Sequence, residues 1–428
     1  MLHQQLTRRE YLKQSAYGFA GLMLSSLPAL NVFGQEKRAG KLTIRSVKPV
    51  VLAERIILVQ VTTDQGITGW GESSAMGAKE LVPLIHSLNE IVVGEDPRDI
   101  EKLWEKLLVR TYKLEGRAIC IAISGVDIAL WDIIGKAAGM SVTQLLGGYY
   151  RDRIPFYATL DRDISPQNMA RRAAAAKEAG FKSVKLKVAT RWGFDAQPDN
   201  SVETVAAVRQ AVGKDIKIVV DSNSGWSVPT AIRMCRAIEQ YDIAWLEQPV
   251  PERDLASVAA VTKATDIPVG FGEEEWNLWR FKEVLVNEVA DIMQADPIKC
   301  VGLTGTKKVA ILTEAFSKTL TPHNTSATIG MAATAAIVAS TPNARAEQEC
   351  TILEDAIKQR DNARKVDFLA AEEAPPNVRD VRRHLFQEPF RIEGSSMPAM
   401  RGVGLGVKLN PEIVRKHANV TVDAAAFN

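Results

Sequence analysis

Between residues 184 and 321 the chain repeats one pattern: a short β-rich run, a helical stretch, then another run. The runs fall at 184–188, 216–220, 243–246, 268–271, 291–293 and 319–321, a repeat of roughly 23 to 32 residues. Strands alternating with helices argue for a parallel sheet, because parallel neighbours need a crossover long enough to hold a helix. Repetition of this unit along the chain favours a closed barrel over an open sheet.

Each run carries a polar group at or just past its C-terminal end. They are Lys185-Leu186-Lys187, Asp221-Ser222-Asn223, Glu247, Glu273, Asp296 and His323. In a strand, residues i and i+2 share a face, so Lys185 projects with Lys187 and Asp221 with Asn223. A barrel presents functional groups at this rim. Taken alone, each of these residues is better read as a helix cap, a loop ion pair or a solvated side chain. Their joint occurrence, strand after strand, is what points to a site.

The residue types then suggest the chemistry. Asp221, Glu247 and Glu273 on consecutive strands form an all-oxygen donor set, which suits Mg²⁺ or Mn²⁺. A cation there would neutralise a substrate carboxylate and make the proton on the adjoining carbon more acidic. Lys187, beside Lys185 and the cation, is the kind of amine whose pKa falls into the range useful to a base. His323 is expected on the other face of that carbon, with Asp296 setting its tautomer.

The rest of the chain frames this barrel. Residues 41–72 read as paired strands with a turn at Asp64-Gln65-Gly66, and residues 79–147 as helices ending at Leu145-Leu146-Gly147-Gly148. The expected layout is an α+β capping domain at 41–150, the barrel at 151–350 and a C-terminal segment at 351–428 that returns to the cap. Within that segment, 352–401 is charged and poorly periodic. At the N-terminus, Thr7-Arg8-Arg9-Glu10-Tyr11-Leu12-Lys13 resembles a twin-arginine export signal. A weakly apolar stretch from Ala16 to Leu30 follows, with a cleavage site near Val32-Phe33-Gly34. Residues 1–34 are therefore expected to be removed on export to the periplasm, without a stable membrane anchor. Cys120, Cys235, Cys300 and Cys350 show no metal-type spacing and read as small buried hydrophobes. A net charge of +2 and the lack of a basic stripe argue against nucleic acid. The expected partner is a small carboxylate, and the expected assembly a homo-oligomer.

At these residues the chain resembles the enolase superfamily and, within it, the mandelate racemase subgroup. The likeness spans about 42–350 and includes Gly69-Trp70-Gly71-Glu72, Gly94-Glu95-Asp96-Pro97, Ile128-Ala129-Leu130-Trp131-Asp132 and Leu145-Leu146-Gly147-Gly148. It implies a (β/α)7β TIM-type barrel with an α+β N-terminal capping domain, and the superfamily's general chemistry of a Lys or His base with a metal-stabilised ene-diolate. By position, Asp221, Glu247 and Glu273 resemble its metal ligands, Lys187 its base with Lys185 alongside, and Asp296–His323 its dyad. The resemblance also implies an eighth-strand glutamate that hydrogen-bonds the substrate carboxylate: Glu349, or Glu347 if the register differs. The implied reaction is dehydration of an acid sugar to a 2-keto-3-deoxy sugar acid. Racemisation or epimerisation of a 2-hydroxy acid is the alternative. A cycloisomerase using Lys299, or a catalytically silent sugar-acid-binding barrel, is further off. Three departures stand out: Val301-Gly302-Leu303 replaces two adjacent glycines, the specificity loop at 49–54 is short, and the charged stretch before Gly404-Leu405-Gly406 is unusual.

Overall fold

Three antiparallel strands begin the fold: β1 (Ile44–Ala53), β2 (Ile56–Thr63) and β3 (Thr68–Glu72), paired in that order. The computed structural model describes residues 40–160, 162, 165–189, 193–324, 327–350, 376–390 and 392–427. The expected export signal at 1–34 lies outside them, as does 351–375. Residues Leu42–Asn428 make one compact unit.

The cap corrects two expectations. Residues 41–72 form three strands and not a single pair, with Gly69–Glu72 in the third, β3. Residues 49–53 are not loop either, because Pro49 through Ala53 pair with Val59 through Ile56 in the β1–β2 ladder. Pro49 is tolerated because β1 is an edge strand. What was expected to be a short loop is the tight turn at Glu54 and Arg55.

The 22-residue apolar helix Arg117–Ala138 packs on β3. The Gly-Trp-Gly sequence permits this. A Cβ at Gly71 would stand 1.8 Å from the carbonyl oxygen of Gly125, and one at Gly69 would stand 2.1 Å from that of Ala129. Only glycine allows strand and helix so close an approach.

Eight parallel strands form the barrel. β4 (Arg153–Leu160) is followed by β5 (Ser183–Lys187), β6 (Lys217–Asp221), β7 (Ile243–Glu247), β8 (Val269–Phe271), β9 (Ile292–Met293), β10 (Thr319–Leu320) and β11 (Gln348–Cys350). Seven major helices fill the crossovers, giving the (β/α)7β order. The ladders run continuously from β10 down to β4 and on to β11, which curls the sheet. β4 was not singled out among the sequence runs, because Pro155 and the polar Arg153 interrupt its apolar pattern. Phe156, Ala158 and Leu160, on its helix-facing side, are nevertheless buried.

The C-terminal segment adds β12 (Ser396–Pro398), antiparallel to β4, and then returns to the cap. The backbone N–H of Asn419 donates to Val51 (3.0 Å), and the Trp70 indole donates to the carbonyl of Ala426 (3.0 Å). The helix Pro376–His384 packs against β1. Val301 adopts φ 45°, an unusual backbone for a β-branched residue and the position where two glycines were expected. Its side chain is buried among cap residues, and its carbonyl accepts from the Trp104 indole at 3.0 Å. All four cysteines are buried, and none forms a disulfide among the described residues.

Candidate active site

Strand register brings the first residues together. Lys187 pairs with Asp221 across β5–β6, and Asp221 with Glu247 across β6–β7, so the last residues of three strands stand side by side. Glu273 follows β8 by two residues, Asp296 follows β9 and His323 follows β10. Glu349 lies within β11. Immediately past β6 and β7, Asn223, Ser224 and Gln248 take positive φ of 45°, 59° and 45°. Non-glycine residues in this region mark strain that clusters at functional rims.

Lys185 is the centre of the charge network. Its ammonium lies 2.7 Å from Glu247, 3.1 Å from Glu349 and 3.9 Å from Asp221, all of them buried. Burial opposes its charge, but Glu247 and Glu349 outweigh that and hold its pKa well above the usual lysine value. Lys185 is therefore a fixed cation, with the Tyr157 ring 5.6 Å from its Nζ.

The carboxylates divide into two kinds. Burial works against ionisation of Glu247, but Lys185 brings its pKa below the ordinary range, and Gln294 donates to its second oxygen at 2.6 Å. Glu349 is likewise opposed by burial yet lowered to about 2, chiefly by Lys185 and then by His323 and Lys187. Thr159 also donates to it at 2.9 Å. By contrast, burial and then Glu247 push Asp221 up to about 6, and push Glu273 well above its usual value.

The expected dyad is formed. His323 Nδ1 and Asp296 Oδ2 are 2.8 Å apart, and the other Asp296 oxygen accepts from the Ile298 N–H at 2.9 Å. With Nδ1–H donating to Asp296, the Nε2 lone pair faces the cavity. Nε2 lies 3.5 Å from Glu273 and 3.7 Å from Glu349. Lys299 is tied instead to the Glu273 carbonyl (2.8 Å) and the Glu274 carboxylate (3.2 Å).

The eighth-strand register is settled in favour of Glu349. Glu347 pairs with Lys217 at 2.9 Å, at the start of β6 and away from the rim. Asn223 lines the cavity, but its amide is engaged: it donates to Asp221 at 3.0 Å and accepts from Arg162 at 3.0 Å. It holds a carboxylate in place. Sequence reasoning missed Gln294, Thr159 and Tyr157. Gln294 could have been found, since it sits two residues before Asp296.

The donor chemistry of Asp221, Glu247 and Glu273 fits a hard divalent cation. The upward shifts of Asp221 and Glu273 reflect burial first and then the charge of Glu247, and such an ion would relieve that crowding. As placed, no three His, Cys, Asp or Glu side chains among the described residues are gathered closely enough to hold one. Lys185 bridges the carboxylates instead. A cavity of about 650 Å³ lies over these groups, lined by Lys185, Lys187, Asp221, Glu273, His323 and Glu349 from the barrel. Arg55 and Glu72 line it from the cap, with Arg117 and Arg382.

Comparison with known proteins agrees with this architecture. Residues 40–147 match the family described as mandelate racemase / muconate lactonizing enzyme, N-terminal domain, and residues 168–413 match the enolase C-terminal domain-like family. A D-galactonate dehydratase of Ralstonia nicotianae is 30% identical over 376 residues, covering 87% of this chain and 93% of the relative. A D-xylonate dehydratase of Haloferax volcanii is 32% identical over 306 residues, covering 68% and 74%. Among solved structures, the 3,6-anhydro-D-galactonate cycloisomerase of Zobellia galactanivorans superposes with a TM-score of 0.74 at 27% identity, over 88% of this chain and all (100%) of that one. The match to both domain families, on a barrel whose rim carries the dyad and the carboxylates, places this chain in the enolase superfamily, in the mandelate racemase subgroup.

Proposed function

We propose that this lyase removes the proton beside the carboxylate of an acid sugar and expels a hydroxyl from the next carbon, giving a 2-keto-3-deoxy sugar acid. The observation that carries the reading is His323, held by Asp296, sharing one cavity with Lys187, Asp221 and Glu273. The dehydratase relatives favour elimination over racemisation.

Asp221, Glu247 and Glu273 would hold Mg²⁺, with Mn²⁺ as a substitute, as superfamily members generally do. When bound, such an ion neutralises the substrate carboxylate and lowers the pKa of the neighbouring C–H. Lys187 and His323 approach from different strands, β5 and the end of β10, so one can take the α-proton while the other serves the leaving hydroxyl. With Nδ1–H committed to Asp296, His323 presents Nε2 as acceptor and, once protonated, as the acid that assists departure of the hydroxyl. Lys185 stays protonated and offsets the negative charge that develops on the substrate. Glu349, an anion as placed, accepts from a substrate hydroxyl. To donate to a substrate carboxylate it must first gain a proton.

The test is a panel of hexonates, pentonates and aldarates incubated with Mg²⁺ in D₂O and read for keto acid and α-deuterium. Keto acid from at least one member, lost in Lys187→Ala and His323→Asn, is expected. Deuterated substrate without keto acid would mark a racemase or epimerase instead. Neither signal across the panel would overturn the reading. Chelation should abolish turnover and added Mg²⁺ restore it. The Arg8-Arg9 motif supports export, which cell fractionation of the full chain would check.

A further inference from the structure

Two guanidinium groups line the cavity without a hydrogen-bond or ion-pair partner among the described residues. Arg55 sits in the β1–β2 turn, and Arg382 on the helix Pro376–His384, which packs against β1. More than 300 residues separate them in sequence, yet both belong to one cavity wall. Neither lies on the barrel rim.

The carboxylates that share the cavity are already engaged. Glu72 accepts from the Thr328 hydroxyl (2.7 and 2.6 Å) and the Gly330 N–H (2.7 Å). Glu274 pairs with Arg117 and with Lys299. Asp221 and Glu349 are drawn to Lys185, and Glu273 faces His323. The cavity thus has a reacting end, where carboxylates, lysines and histidine are balanced against each other, and two separate guanidiniums that make no ion pair among the described residues, Arg382 feeling Glu72 only through space. A polyhydroxyl tail can be held by neutral donors. Guanidinium forks match the paired oxygens of a carboxylate or phosphate.

We propose that Arg55 and Arg382 bind a second anionic group at the end of the substrate remote from the reacting carboxylate. The preferred substrates are then dianionic acid sugars, with a distal carboxylate or phosphate, rather than simple aldonates. This rests on the acid-sugar reading above and narrows it. A cavity of about 650 Å³ is within the usual range for small-molecule sites and leaves room for a six-carbon chain. The helix bearing Arg382 would give the unusual C-terminal segment a part in specificity.

The experiment uses the full chain with Mg²⁺ and has two arms. Turnover of galactarate, glucarate and 6-phosphogluconate is compared with that of galactonate and gluconate. Affinities for the same five are measured by calorimetry in the Lys187→Ala/His323→Asn variant, which keeps the cavity wall but not the bases. Both arms are repeated with Arg55→Gln, Arg382→Gln and Arg382→Lys. Both arginines are exposed and make no hydrogen bond or ion pair among the described residues, so these variants should fold as wild type. At least one dianion should bind tighter than its monoanionic counterpart by roughly 10-fold or more, and each Gln variant should cost it about 10-fold, mainly in KM. The monoanions should change by less than about 2-fold, and Arg382→Lys should restore part of the loss. Comparing the diacids with 6-phosphogluconate identifies the distal group. Equal affinity for monoanions and dianions, or equal losses for both in the Gln variants, overturns the inference while leaving dehydration intact. An Arg-dependent preference for a dianion without any turnover sinks the dehydration reading and keeps the inference.

Discussion

Replacing Asp296 by Asn tests the dyad with almost no change of shape. Asp296 offers two acceptors, one to His323 Nδ1 at 2.8 Å and one to the Ile298 N–H at 2.9 Å, in a site where Asp296 and His323 are buried. An asparagine has only one acceptor. If its oxygen keeps the Ile298 N–H, its NH₂ faces Nδ1 and the imidazole must move its proton to Nε2, where it blocks proton uptake from substrate. If its oxygen turns to Nδ1, the NH₂ opposes the Ile298 N–H and two donors collide. The first arrangement avoids an unsatisfied buried group costing about 1–3 kcal/mol, so the inverted tautomer should prevail.

A positioned general acid or base is worth about 10²–10⁴ in rate, or roughly 3–5.5 kcal/mol of barrier. Asp296→Asn should therefore lower kcat for keto-acid formation by about that factor, with KM within a few fold and the urea midpoint near that of wild type. The assay is keto-acid release at saturating substrate and Mg²⁺, with α-deuterium uptake followed in parallel. A variant within about 3-fold of wild-type kcat would refute the role assigned to the pair. So would a loss confined to KM, which would mean that Asp296 matters for binding alone.

Three further outcomes are expected. Gly71→Ala places a Cβ 1.8 Å from the Gly125 carbonyl and must push the helix Arg117–Ala138 off β3, so urea denaturation should show a loss of about 3 kcal/mol or more; an unchanged midpoint would show that the cap yields freely. Glu247→Gln should abolish Mg²⁺-dependent turnover and cost about 2–3 kcal/mol. That is below the ~3–5 kcal/mol usual for breaking a buried pair, because Glu349 and Asp221 still attend Lys185. Activity that survives in chelator would remove the ligand assignment. Asp380, on the helix that bears Arg382, is lowered to about 2 by Lys416 and then His417. Because its folded pKa is depressed, its contribution is present above about pH 4 and fades as pH falls towards 2. Asp380→Asn should flatten that part of the acid-denaturation curve and cost no more than about 1 kcal/mol at pH 7, since solvent screens the pair.

The strands that carry the site were legible because each ends in a charged residue after a β-rich run, a pattern that survives shifts of one or two residues in the boundaries. The pairing of Asp296 with His323 was legible because consecutive strands in a barrel are neighbours. β4 was hidden by Pro155 and Arg153, which are tolerated where β12 pairs alongside. The choice between Glu347 and Glu349 could not be made from sequence, since both lie on the same side of a strand by period. It took the β4–β11 register, with Glu349 opposite Tyr157, to place one at the rim and the other beside Lys217. Arg382 was invisible for another reason. It reaches the cavity from a segment without a repeat, and only the packing of its helix against β1 brings it there.

Lys185 separates the carboxylates into those it keeps ionised, Glu247 and Glu349, and those in which burial and then the charge of Glu247 prevail, Asp221 and Glu273. A substrate carboxylate arriving beside Glu349 adds like charge to a group already desolvated, and both effects raise its affinity for a proton. Its oxygens are not equivalent. Oε1 is held by Lys185 and Thr159, whereas Oε2 has no hydrogen-bond partner among the described residues and lies 3.7 Å from His323 Nε2. The proton that converts Glu349 from acceptor to donor therefore belongs on Oε2, beside the imidazole that exchanges protons in the reaction. Glu349→Gln, with a permanent donor in that place, should then retain more substrate affinity than Glu349→Ala. If the two variants bind equally weakly, Glu349 acts as an anion throughout and receives hydroxyls only.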